Sequence, residues 1–187
     1  MNSVLFVNAC FRPGSRTLVL AKRVLEKLNG QVEEVNLEKE AILPLDAASL
    51  AERDALIQAG DYTSPLFRYA RQYAQADVIV VAAPCWDLSF PAALKAYFEA
   101  IMVLGITFRY TPQGIPVGLC KAKELIYVTT AGGPLSGNDL GFQYVEALAK
   151  VYHSIPGVRC FAAENLDIVG ADVKKILEKA LEEIDRM

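Results

Sequence analysis

Residues 78–98 read VIVVAAPCWDLSFPAALKAYF. Val78 to Ala83 is an unbroken apolar run rather than an alternating one, as suits a central parallel strand covered on both faces. It leads directly through Pro84, Cys85, Trp86 and Asp87 into a helical pattern. Ser89 stands where it can cap that helix, and Pro91 falls in the first turn, where a missing N–H costs least. Ligands of open α/β sheets sit outside the carboxyl ends of the strands, where the chain direction switches. The junction therefore reads as a binding shelf, with a large aromatic beside it and the unpaired amides of a helix start aimed at it.

On either side of this stretch, short β-rich runs alternate with helical patterns, the mark of right-handed βαβ units and a parallel sheet. A first strand covers about residues 3–9. A helix follows over about 16–29, with Leu18, Ala21, Val24, Leu25 and Leu28 on one face and Asn29-Gly30 ending it. The second strand, QVEEVNL at 31–37, is the most polar and belongs at a sheet edge. Residues 38–64 form a less regular insertion holding one short helix, opened by a Ser49-Leu50-Ala51-Glu52 capping box. Excursions of this length often serve as lids.

Ser64-Pro65 then starts a helix to about Ala76, and the shelf helix ends near Gly105. The segment TFRYTPQGIPVG at 107–118 reads as a hairpin or excursion outside the core. A fourth strand (124–130), a helix (139–153, with Val145, Leu148, Ala149 and Tyr152 on one face) and a fifth strand (157–163) follow. The last helix carries Val173, Ile176, Leu177, Ala180, Leu181 and Ile184 at helical spacing. Five strands flanked by helices on both faces predict one doubly wound α/β domain over residues 1–187, with the parallel sheet in the flavodoxin order 2-1-3-4-5.

Composition narrows the function. At 187 residues with 53% hydrophobic content, the chain can bury a core without disulfides or metal. A net charge of −3 with interspersed signs gives no footprint for nucleic acid. No apolar run approaches membrane-spanning length and MNSVLFVNA carries no basic leader, so a cytoplasmic location is expected. Cys10, Cys85, Cys120 and Cys160 are widely scattered without a CxxC pair, and read as free thiols rather than zinc ligands.

Three strand ends converge in this topology. The first loop, Cys10-Phe11-Arg12-Pro13-Gly14-Ser15-Arg16-Thr17, offers hydroxyls and amides at a helix N-terminus with two arginines, a ready site for one phosphate. The GxGxxG of dinucleotide folds is absent. The shelf, Pro84 to Leu88, is placed to clamp the edge of a planar ring by its backbone. The third loop, Thr129-Thr130-Ala131-Gly132-Gly133-Pro134, has two glycines that let backbone amides approach a ligand. Phosphate site, ring clamp and amide wall together describe a mononucleotide with a flat ring, for which FMN is the best candidate. Each loop also has a bland reading: an N-cap at Ser15, a core aromatic at Trp86 and a plain turn at Gly132-Gly133.

Cys10, Arg16 and Thr17 also match the C(x)5R(S/T) signature of low-molecular-weight tyrosine phosphatases, in which the cysteine is the nucleophile. That chemistry needs a late Asp-Pro acid, and no Asp-Pro occurs in the chain. Phe11 and Pro13 are moreover bulky for such a loop. A buried structural cysteine is the simpler reading of Cys10.

NACFRPGSRTLVLA (8–21), APCWDLSFPAALKAYFEAI (83–101), GITFRYTPQGIPVGL (105–119) and TTAGG (129–133) together resemble the FMN-dependent NADH-azoreductase and NAD(P)H:quinone oxidoreductase family of flavodoxin-like proteins. The resemblance implies a ping-pong oxidoreductase: FMN takes a hydride from NADH or NADPH and passes two electrons to a quinone, azo or nitro compound. It further implies a homodimer with the flavin at the interface and no catalytic side-chain acid or base. Carried over by position, Cys10, Arg12, Ser15, Arg16 and Thr17 surround the phosphate. Pro84, Cys85, Trp86, Asp87 and Leu88 hold one ring edge, the Asp87 amide reaching flavin N5. Thr130, Ala131, Gly132 and Gly133 hold the opposite edge. Trp86 and Tyr110 would shape the pocket for nicotinamide and acceptor.

Three positions depart from the family pattern: Cys10 where serine is common, Leu135 where azoreductases often carry histidine, and Asn165 where glycine is usual. The only histidine, His153, reads as structural. A flavodoxin-type electron carrier is the rival reading, since it binds FMN without oxidising NAD(P)H.

Overall fold

The computed structural model describes residues 2–187. Its strands are β1 (Asn2–Asn8), β2 (Gly30–Asn36), β3 (Val78–Ala82), β4 (Phe108–Tyr110), β5 (Pro116–Gly118), β6 (Glu124–Thr130) and β7 (Gly157–Ala163). The helices are α1 (Arg16–Lys27), α2 (Ala47–Ala59), α3 (Arg68–Gln75), α4 (Ala92–Ile101), α5 (Leu140–Ala147) and α6 (Val173–Asp185). β2-β1-β3-β6-β7 form a parallel sheet, which is the expected 2-1-3-4-5 order because β4 and β5 pair separately as an antiparallel ribbon. The polar β2 is an edge strand, as its sequence foretells.

The unbroken apolar runs follow from burial on both sheet faces. Leu5, Val7, Ile79, Val81, Leu125 and Tyr127 face one layer, built with Tyr73 of α3, Leu94, Tyr97 and Phe98 of α4, and Val145 of α5. The intervening Val4, Phe6, Val80, Ala82, Ile126 and Val128 face the other, built with Leu20, Ala21 and Val24 of α1 and Ala180 and Ile184 of α6. Cys120 and Cys160 pack at the margins of the first layer, where burial pushes both thiols up to about 12. No described helix is long and apolar enough to cross a membrane.

Several boundaries differ from the sequence reading. Ser89 does not cap α4; it closes a tight turn by pairing with Trp86, and the N-cap is Pro91, with α4 beginning at Ala92. The capping box of α2 is Asp46 with Ser49, each side chain meeting the other residue's amide, because the helix starts at Ala47 rather than at Leu50. α4 stops at Ile101 rather than near Gly105, since the Thr107 hydroxyl donates to the Ile101 carbonyl at 2.7 Å and turns the chain into the β4–β5 ribbon. α1 ends at Lys27 with Leu28 already extended, and Gly30 opens β2 instead of ending the helix. The buried face of α1 centres on Thr17, Leu20, Ala21 and Val24, leaving Leu18, Leu25 and Leu28 at its margin.

The helix predicted over 139–153 is α5 followed by a π-helical turn, Leu148–Tyr152. That turn delivers His153 into the core. Its ring is fully buried, lies edge-on to Tyr73 with centroids 4.8 Å apart, and shares a 3.1 Å hydrogen bond between Nδ1 and the Tyr73 hydroxyl. Burial lowers its pKa from 6.5 to about 4. Between those values the unfolded chain binds more protons than the folded one, so stability falls as pH drops through this window, by at most about 1.4 kcal/mol per pH unit. Urea midpoints measured from pH 7 to 4 are expected to fall less steeply for His153→Gln than for the wild type.

Candidate functional site

Strands β1, β3, β6 and β7 end side by side, and successive backbone bonds extend the sheet past its last residues. Ala9 N–H donates to Ala82 O, Ala83 N–H to Val128 O, Cys85 N–H to Thr130 O and Ala131 N–H to Ala163 O, all at 2.9–3.0 Å. The loops that leave these ends surround a cavity of about 340 Å³, within the span of small-ligand sites. It is lined by Arg12, Ser15, Arg16 and Thr17, by Pro84, Cys85 and Trp86, and by Thr130 and Gly132. Phe11, Pro13, Gly14 and Asp167 complete the lining. The three loops singled out in the sequence therefore meet.

At the first loop, Ser15 caps α1 by accepting from Leu18 N–H. Among the described residues, no acceptor meets the amides of Arg16 and Thr17, the first two of the helix. Anions are stabilised at such a position by the free N–H groups and the helix dipole. Thr17 is buried, and its hydroxyl lies 2.6 Å from that of Thr130, which ties the first loop to the third. Arg12 lies over the Trp86 ring at 5.9 Å, and Phe11 tilts against the same ring at 6.2 Å. One wall is thus aromatic with a cation on it.

The shelf is a two-residue hairpin. Trp86 and Ser89 exchange both backbone hydrogen bonds, and Asp87 and Leu88 between them have φ of +51° and +65°. Two left-handed residues in succession make the primed hairpin turn, which usually selects Asn-Gly. Aspartate visits this region readily, but at Leu88 left-handed backbone costs about 1–2 kcal/mol, so the turn holds stored strain at that residue. Asp87 and Leu88 do not line the cavity. Neither do Cys10, Ala131 and Gly133.

Cys10 belongs to the core. It is buried, its thiol faces the Ala82 carbonyl at 3.7 Å, and burial pushes its pKa up to about 11. A phosphatase nucleophile needs the opposite shift. Tyr110 is also separate: α4 carries the chain back toward the amino ends of the strands, where the β4–β5 ribbon packs on residues 152–154. Residues 38–64 do not cover the cavity. They line instead an apolar cleft with Leu66, Phe67 and Tyr69.

Sequence reasoning missed the fourth loop, after β7. Asn165, Leu166 and Asp167 donate their amides to the carbonyls of Gly133, Ala131 and Gly132. Asp167 and the Leu166 carbonyl also hold the Arg16 guanidinium, at 2.8 and 3.1 Å. A Cβ at 132 would lie 2.3 Å from the Asp167 carboxylate, so a larger residue there would push that side chain off its ion pair with Arg16. Asn165 has φ +64°, a conformation asparagine adopts more readily than most side-chain-bearing residues, so it can hold a backbone shape that would also suit glycine. Leu135 is buried beneath the loop. The sheet order alone was a sufficient signal, since it places the end of β7 beside that of β6.

The sequence pattern of the family described as "Flavodoxin-like fold" matches residues 2–187. The chain belongs to the flavodoxin-like fold family. Within it, the chain is 35% identical to "FMN-dependent NADH:quinone oxidoreductase 2" of Clostridium acetobutylicum, covering 97% of this chain and 96% of that one. It is 33% identical to "FMN-dependent NADH:quinone oxidoreductase" of Caldicellulosiruptor saccharolyticus, covering 92% and 90%. The same flavodoxin-like architecture is found in the crystal structure of azoreductase from Bacillus anthracis, with a TM-score of 0.87, 24% identity, and coverage of 100% of this chain and 98% of that one. An FMN-dependent NADH-azoreductase of Bacillus anthracis, solved in complex with FMN, has a TM-score of 0.84 at 21% identity, covering 100% and 97%.

Proposed function

We propose that this chain acts, as one domain over residues 1–187, as an FMN-dependent NAD(P)H oxidoreductase that reduces a quinone, azo or nitro acceptor. The observation that carries the reading is the joining of a helix start with two free amides to an aromatic and glycine-rich wall in one cavity. Curated relatives at 33–35% identity over nearly the whole chain bear the matching activity in their names, which supports it.

The residues present fit FMN. The amides of Arg16 and Thr17, with the Ser15 hydroxyl and Arg12, would hold the phosphate; Arg16 itself serves mainly to anchor the fourth loop through Asp167. The backbone of Pro84 to Leu88 would hold one edge of the ring and that of Thr130 to Gly133 the other. Cys10 is left out of this set because its thiol is turned into the core. When bound, FMN supplies the two-electron relay between NAD(P)H and acceptor. The chain's part is to orient the ring and exclude water around it, with fixed backbone dipoles as the electrostatic element.

We further infer a homodimer in the cytoplasm. Trp86 remains 38% exposed at the cavity, Leu88 54% exposed in the turn beside it, and Tyr110 and Ile115 49% and 59% exposed on the ribbon, apolar surface that a second copy would cover. The four free cysteines suit a reducing compartment.

The purified protein is expected to show flavin absorbance, alone or after adding FMN, and to oxidise NADH when a quinone is supplied. Flavin binding without NAD(P)H oxidation would favour an electron carrier. A colourless protein that FMN cannot reconstitute would overturn the reading.

A further inference from the structure

The 86–89 turn needs support from outside itself. Its two central residues are left-handed, yet neither is glycine, and the Leu88 side chain is half exposed, so little packing of its own offsets the strain. The two Trp86–Ser89 bonds close the hairpin as in any tight turn. Among the described residues, the backbone bond reaching it from another element comes from α5: the Leu140 N–H donates to the Leu88 carbonyl at 3.0 Å, shared with the Asn138 carbonyl at 2.9 Å. Leu140 is the first residue of α5, and Asp139 caps that helix by accepting from Phe142 N–H at 2.8 Å. The segment 131–139 therefore begins at the glycine wall, where Thr130 O accepts from Cys85 N–H, and ends at the bond to Leu88.

We propose that the first turn of α5, through the Leu140 amide, is a positioning element that keeps the 86–89 turn in its left-handed shape and so sets how tightly the chain holds FMN. The inference rests on the reading of the cavity given above. Residues 139–140 do not line the cavity; they act through Leu88. Because one segment joins both walls, the spacing between the shelf and Gly132 is fixed at two points.

Proline at 140 breaks the bond to Leu88, together with the same amide's local bond to the Asn138 carbonyl. It removes the N–H, suits the first helical position, and follows Asp139, whose φ of −76° and ψ of 79° lie outside the α region that a following proline disfavours. The Leu140 side chain is half exposed, so its loss leaves no cavity. Leu140→Pro is expected to weaken FMN binding about tenfold by fluorescence titration and to speed amide exchange at residues 86–90 in the FMN-free protein, with the melting temperature changed little. In a Leu88→Gly background, where the left-handed shape needs no lock, the same substitution is expected to change affinity less than about threefold.

Unchanged affinity and exchange in Leu140→Pro would overturn the proposal, as would an equal loss in the Leu88→Gly background. Should the proline variant not fold, Asp139→Ala frays the same turn and must show the same ordering of effects at smaller size. A wild type that binds no FMN would fell the cavity reading, while amide exchange in the free protein still decides whether α5 locks the turn.

Discussion

Ser15→Asp is expected to bind FMN at least about 100-fold more weakly than the wild type while folding as well. Aspartate and serine are equally good N-cap residues, so the bond from Leu18 N–H to the capping side chain survives the exchange. The new carboxylate, however, lies in the lining of the cavity, beside the amides that would hold a phosphate. Two unit charges about 4 Å apart repel by roughly 4 kcal/mol at the effective dielectric of a protein surface. Arg12 and the helix dipole offset part of that repulsion, which is why the expected loss is set lower. Ser15→Ala, which removes a cap and adds no charge, is the control and should cost far less affinity. Titration of the FMN-free protein with FMN, followed by flavin fluorescence, reads the difference; undiminished binding in the aspartate variant would move the phosphate elsewhere.

Gly118→Ala is expected to destabilise the fold by about 3 kcal/mol, the upper part of the range for overpacking. A Cβ at 118 would lie 2.1 Å from the carbonyl carbon of His153 and 2.4 Å from the nitrogen of Ser154. Both are backbone atoms, so no rotamer change relieves the contact. The ribbon must lift, which breaks the 2.9 Å bond from Gly118 N–H to the Ser154 hydroxyl and uncovers the buried His153–Tyr73 pair. In a chain of this size that corresponds to a melting point lower by roughly 6–12 °C. FMN affinity should change little, because the ribbon lies away from the cavity. Equal thermal stability of the variant and the wild type would refute the account.

The strands and their order were legible because burial on both faces leaves a mark, the unbroken apolar runs at 78–83 and 125–128, that no turn or surface helix imitates. The convergence of Ser15, Thr17, Trp86, Thr130 and Gly132 followed from that order. What stayed hidden depends on contacts between distant residues. Nothing around Cys10 distinguishes a thiol turned into the core from one turned into a loop, since both follow a strand and precede an arginine. Ser89 has the composition of an N-cap, and only the pairing of Trp86 with Ser89 shows it closing a turn instead. Asp167 carries no local pattern at all; its partner Arg16 lies 151 positions away in the chain. The capping box of α2 moved because two overlapping patterns compete there, and the aspartate at 46 prevails.

The packing of the cysteines bears on how the molecule ages. Thiolate, not thiol, reacts with oxidants and electrophiles. With the thiols of Cys120 and Cys160 pushed up to about 12 and that of Cys10 to about 11, roughly one Cys120 or Cys160 in a hundred thousand is ionised at neutral pH. Cys85, in the cavity lining, is held above the ordinary range by the same cause to a smaller degree. Cys10, Cys120 and Cys160 thus meet peroxide or alkylating agents only when the core opens, which leaves Cys85, in the cavity lining, as the thiol such reagents reach first.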